Sequence, residues 1–78
     1  MKTTTELMKI ASMGGNLIVD AKSKTTTELI KIAVMACSSE VTLTLKNANS
    51  KTTSELMKIA SVGKNSDGKN IVTFDLSI

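Results

Sequence analysis

A ten-residue phrase occurs three times in this chain, and that repetition restricts the possible fold more than any other feature. Lys2 to Ala11 reads KTTTELMKIA, and the phrase returns as KTTTELIKIA from Lys24 to Ala33 and as KTTSELMKIA from Lys51 to Ala60. The copies start 22 and 27 residues apart. Periods of roughly 20 to 50 residues mark stacked supersecondary units, so the chain reads as one domain of three repeats, 2–23, 24–50 and 51–78.

Each phrase carries a helix start. Thr3/Glu6, Thr25/Glu28 and Thr52/Glu55 have the spacing of a capping box. The Thr hydroxyl accepts the third helical N–H while the Glu carboxylate accepts the cap's own N–H, so two backbone donors without helical partners are satisfied. Behind each box the apolar residues fall on one helical stripe, Leu7/Ile10/Ala11, Leu29/Ile32/Ala33 and Leu56/Ile59/Ala60, which predicts a core-facing side. Gly14 and Gly63 stand where a left-handed residue ends a helix, and Ser38-Ser39 interrupts the second. Extended segments follow at Asn16–Ala21, Val41–Lys46 and Asn70–Ser77. The second alternates, with Val41, Leu43 and Leu45 against Thr42, Thr44 and Lys46, which is the period of a half-buried strand. In the third, Val72, Phe74 and Leu76 are expected inward, Thr73 and Asp75 outward, with Ile71 and Ile78 near the ends. In the first, Leu17, Ile18 and Val19 are all apolar and leave the facing open.

Helix and strand in alternation predict an α/β fold with a parallel three-stranded sheet joined by right-handed crossovers. A doubly wound sheet would bury both strand faces, yet the second strand shows Thr, Thr and Lys on one of them. Helices on one side of the sheet, in a short solenoid, are therefore expected.

Read from strand into helix, Ala48, Thr52, Leu56, Ile59 and Ala60, and equally Ala21, Thr25, Leu29, Ile32 and Ala33, resemble the leucine-rich repeat in its cysteine-containing subtype. Ala stands where that subtype has a buried Cys or Asn, and Lys24 and Lys51 stand at usually apolar positions. The resemblance implies a non-enzymatic module that binds partners on its strand face.

Composition narrows the partner class. The net charge of +3 rests on ten lysines with no arginine, and the only aromatic residue is Phe74. Sequence-specific reading of nucleic acid uses the arginine fork, and single-strand binding uses stacked aromatics, so both are disfavoured. No apolar run approaches the ~18 residues of a membrane span. The first residues lack the apolar segment of a secretory signal, and Cys37 is the single cysteine, so a cytoplasmic location is expected and no disulfide can form within the chain. No histidine is present to activate Cys37, and Glu40 is its nearest charge in sequence. The polar turn Asn65–Lys69 lacks the distal Glu of a calcium loop. No catalytic residues, cofactor or metal are expected.

Two binding surfaces are expected instead. Lys2, Lys22, Lys24, Lys46 and Lys51 would form a positive rim, and Thr42, Thr44 and Thr73 an outer strand face. Lys9, Lys31 and Lys58 each follow a Glu by three residues and read as neutralised on a solvated helix face. Met8, Ile30 and Met57 read as packing between repeats. The last strand, with Ile71, Val72, Phe74, Leu76 and Ile78, is expected to pair as an edge in a homodimer or with a partner sheet. The leading functional expectation is a non-catalytic protein-binding module. An inhibitor of a host nuclease complex, carried by a phage or mobile element, is one setting suited to its size and charge. Electrostatic, sequence-nonspecific nucleic-acid binding and end-to-end structural assembly are the alternatives.

Overall fold

The computed structural model describes residues 2–64 and 67–77. It is an α/β fold in which helix and strand alternate three times: α1 (Thr4–Ser12), β1 (Leu17–Asp20), α2 (Thr26–Ser38), β2 (Leu43–Lys46), α3 (Thr53–Val62) and β3 (Val72–Phe74). The strands are parallel and lie in chain order, with Leu17 beside Leu43 and Leu43 beside Val72. The three capping boxes form as expected, at Thr3, Thr25 and Thr52. Each cap contributes about 0.5–2 kcal/mol relative to Ala, which matters for helices of only 9 to 13 residues.

The core lies between the helices and one face of the sheet. Leu29, Ile32, Leu43, Leu45 and Ile59 are its largest fully buried side chains. Alternation along β1 settles the facing that three consecutive apolar residues left open, since Leu17 and Val19 are buried and Ile18 is exposed. Ala11, Ala33 and Ala36 are buried without a large side chain, which lets neighbouring helices approach closely.

Differences among the repeats explain their unequal spacing. α2 has 13 residues against 9 in α1, one additional turn. Asn47 adds a residue after β2 in the left-handed region at φ 57, a conformation that Asn tolerates well. Both α1 and α2 end in Schellman motifs. In α1, Gly15 N–H donates to Ile10 O and Gly14 N–H to Ala11 O; in α2, Val41 N–H donates to Ala36 O and Glu40 N–H to Cys37 O. Gly14 has φ 93 as that motif wants, whereas Glu40 occupies the same position at φ 57 with a side chain.

Two expectations about the third repeat are corrected. Gly63 is not left-handed, having φ −89. It is small because the chain returns against it: a Cβ there would lie 2.6 Å from Val72 Cγ2 and 2.9 Å from Asn70 Oδ1. Asn70 ties this return together, donating to Ala60 O at 2.6 Å and accepting from Val72 N–H at 2.9 Å. Leu76 does not point inward but is 51% exposed. The strand is assigned to Phe74, Asp75 still donates its N–H to Leu45 O and accepts from Ala48 N–H, and the Asp75 carboxylate accepts from Ser77 N–H and hydroxyl, turning the chain after it. Of the turn Asn65–Lys69, Asn65 and Ser66 lie outside the described residues, as does Ile78.

These geometries give opposite expectations for two single substitutions. Gly63→Ala should destabilise by about 1–3 kcal/mol through overpacking. Glu40→Gly should stabilise by up to about 1 kcal/mol by relieving a left-handed residue. Urea or thermal melts of the two variants check both.

Candidate binding surfaces

The lysine rim is partly internal structure. Lys24 Nζ donates to Lys2 O at 2.8 Å and Lys51 Nζ donates to Lys24 O at 2.7 Å, so each ammonium group crosses to the preceding repeat. Both lysines are half-buried while their heads satisfy a carbonyl. Lys2, Lys22 and Lys46 remain exposed. Lys46 lies beside Asp20 in the sheet register and acts electrostatically on Asp20 and Asp75, so that end of the sheet alternates in sign. The result is a set of separated positive points, not a continuous basic band.

The glutamates also differ from expectation. Their carboxylates bind threonines, not Lys9, Lys31 or Lys58. Glu28 Oε1 accepts from Thr25 N–H at 2.9 Å as part of the cap, and Glu28 Oε2 accepts from the Thr4 hydroxyl of the repeat before at 3.1 Å. Glu55 repeats the arrangement with Thr52 N–H at 2.8 Å and the Thr26 hydroxyl at 2.8 Å. The carboxyl groups of Glu28 and Glu55 are accordingly held below the ordinary carboxylate range, chiefly by the backbone N–H of the cap and then by the neighbouring repeat's hydroxyl.

The sheet face away from the core meets solvent. On the sheet, Ile18, Thr44 and Thr73 share one row by register, with Ile18 72% exposed and Thr44 half-buried. Thr42 precedes this row, and its N–H is held by Asn16 Oδ1 at 2.9 Å. The row of Asp20, Lys46 and Asp75 follows it. Asp20 is fixed by Asn47 Nδ2 at 3.0 Å and by Lys22 N–H at 2.9 Å, and the Asn47 bond is the main reason its carboxyl is held low. Sequence reasoning assigned no role to Ile18 or Asp20. Strict alternation applied to Leu17-Ile-Val-Asp20 would have found both.

Between repeats the helices meet flank to flank. Thr4, Met8 and Ala11 form the flank of α1 toward α2, and Glu28, Ile32 and Met35 form the flank of α2 that receives it. The same pairing recurs between Thr26, Ile30 and Ala33 of α2 and Glu55, Ile59 and Val62 of α3. Met8 and Ile30 are half-buried between repeats as expected, whereas Met57, which no helix among the described residues covers, is 66% exposed.

The edge expected to pair is mixed in character. Ile71 and Val72 belong to the core, Phe74 is half-buried, and only Leu76 is exposed among the described residues of that set. The Val72 N–H is already bonded to Asn70. Cys37 is half-buried with Sγ 2.9 Å from Lys64 O, a packing contact between the end of α2 and the third repeat. Among the described residues no group of three or more His, Cys, Asp or Glu side chains converges as a metal site, and no helix is long and apolar enough to cross a membrane. A polar hollow of about 360 Å³ lies between Lys22, Asn47, Asn49, Ser50 and Ser77. Comparison with known proteins finds no match to any family model, curated protein or solved structure.

Because Glu28 and Glu55 titrate lower in the folded chain than their ordinary value of 4.5, their contribution is complete above that pH and is lost as pH falls through and below it. Glu28→Gln and Glu55→Gln should therefore lower stability at neutral pH and flatten the acid limb of the stability curve. Urea midpoints followed by circular dichroism from neutral to acid pH check this.

Proposed function

We propose that this chain is a non-catalytic protein-binding module that presents the open face of its sheet to a macromolecular partner. The observation that carries the reading is Ile18, a large branched apolar side chain left 72% exposed beside a row of hydroxyls and a row of alternating charge. An apolar anchor ringed by hydroxyls and by charges of both signs is the chemistry of a protein interface, whereas a phosphate backbone favours uniform positive charge. Two of the five rim lysines are engaged with carbonyls, which further weakens the nucleic-acid alternative. The leucine-rich-repeat resemblance points the same way, since it implies recognition on the strand face. Such a module acts by occupying a surface, which suits an inhibitor, a host nuclease complex being one target class.

Affinity capture from the native host, with the wild type beside Ile18→Asp and Lys46→Glu, tests the reading. The wild type should retain a discrete protein through a rise in salt, and both variants should lose it. Recovery of nucleic acid alone, with affinity falling log-linearly in salt and unaffected by Ile18→Asp, would overturn it.

A further inference from the structure

The two ends of the repeat stack carry the unmatched halves of the joint that holds the repeats together, and we propose that a second copy of this chain docks there, head to tail. This concerns the helix flanks and is independent of the sheet-face reading. Within the chain the joint is made twice from the same parts. A forward flank of Thr, a long apolar residue and Ala meets a backward flank of Glu, Ile and an apolar residue. A Thr hydroxyl donates across it to the Glu carboxylate, and a Lys ammonium donates back to a carbonyl. Burial follows the pairing: Ile32 and Ile59, which have a helix before them, are fully buried, and Ala11 and Ala33, which have one after them, are likewise.

At the ends the same positions are uncovered. The forward flank of α3 presents Thr53, Met57 and Ala60, with Thr53 exposed where Thr4 and Thr26 are half-buried. The backward flank of α1 presents Glu6, Ile10 and Met13, with Ile10 40% and Met13 88% exposed. Glu6 Oε1 caps its own helix through Thr3 N–H, which leaves Oε2 in the position that Glu28 and Glu55 use to accept a hydroxyl. Lys2 is exposed at the position from which Lys24 and Lys51 reach the preceding carbonyl. Three of the six large apolar side chains exposed among the described residues, Ile10, Met13 and Met57, are therefore the open halves of one joint. Placing α1 of a second copy on α3 would give Thr53 to Glu6, Met57 to Ile10 and Lys2 to the Lys51 carbonyl. It would also bring β1 beside β3, continuing the parallel sheet. The contact is heterologous, so it need not stop at two copies.

Sedimentation over a wide concentration range tests this, using exposed positions whose substitution leaves the core untouched. The wild type should gain mass past the dimer as concentration rises. Met57→Glu and Met13→Glu should each weaken self-association at least about tenfold, while far-UV circular dichroism shows both folded. Mixed together, they should form a one-to-one pair that grows no further, because each retains the flank that the other has lost. A wild type monomeric to millimolar concentration, association that ends at a dimer, association unchanged by Met57→Glu, or a mixture that does not pair would each overturn the proposal.

Discussion

The structure rests on a glutamate with two partners. In Glu28 and Glu55 one carboxylate oxygen closes the capping box of its own helix while the other accepts a threonine hydroxyl from the helix before. Starting a helix and seating it against its neighbour are thus one electrostatic event. Short helices gain little from intrinsic propensity and depend on packing, so coupling the cap to the packing contact is an efficient arrangement for a chain of 78 residues. The lysine one position before the cap secures the same joint from the other side by donating to the preceding repeat's backbone.

Much of this architecture was legible because it depends on local patterns. Thr and Glu three apart fixed all three helix starts, and the Leu-Ile-Ala stripe marked the buried side of α2 in full, whereas Ile10 of α1 is 40% exposed and Leu7, Leu56 and Ala60 are half-buried. The alternation of Val41 to Lys46 gave both the strand and its solvent face. What escaped was set by contacts distant in sequence. Gly63 read as a helix terminator, but its size answers to Val72 and Asn70 arriving from the other side of a turn. Leu76 read as a continuation of strand alternation, but the last ladder bonds are made by Asp75, whose carboxylate then turns the chain through Ser77. The lysine rim read as free charge because nothing in one repeat shows that its ammonium groups reach the carbonyls of another. Ile18 was obscured by apolar neighbours on both sides, and only pairing with β2 assigns it to solvent.

The surfaces divide by what produced them. The helix flanks are products of repetition: the parts that join repeat to repeat recur, exposed, at Ile10 and Met13 of the first repeat and Thr53 and Met57 of the third. The outer sheet face is copied only in part. In one row Ile18 stands beside Thr44 and Thr73, and in the next Lys46 stands between Asp20 and Asp75, so each row has one residue unlike the other two. The Lys, Thr, Glu and Ile of the joint are the same in all three copies, whereas its outer apolar positions and the solvent-facing sheet rows are not.

The position of α2 has a consequence for how the molecule opens. Among the described residues it is the longest helix and the only one with a helix on both flanks, and its Leu29, Ile32, Ala33 and Ala36 are wholly buried. Detaching α1 or α3 breaks one joint, whereas melting α2 breaks two. In a stack governed by nearest neighbours, opening free energies rise from the outer repeats toward the middle one. The amides of α2 and β2 are then the last to exchange with solvent, and the outer flanks are the regions where the fold is most readily loosened.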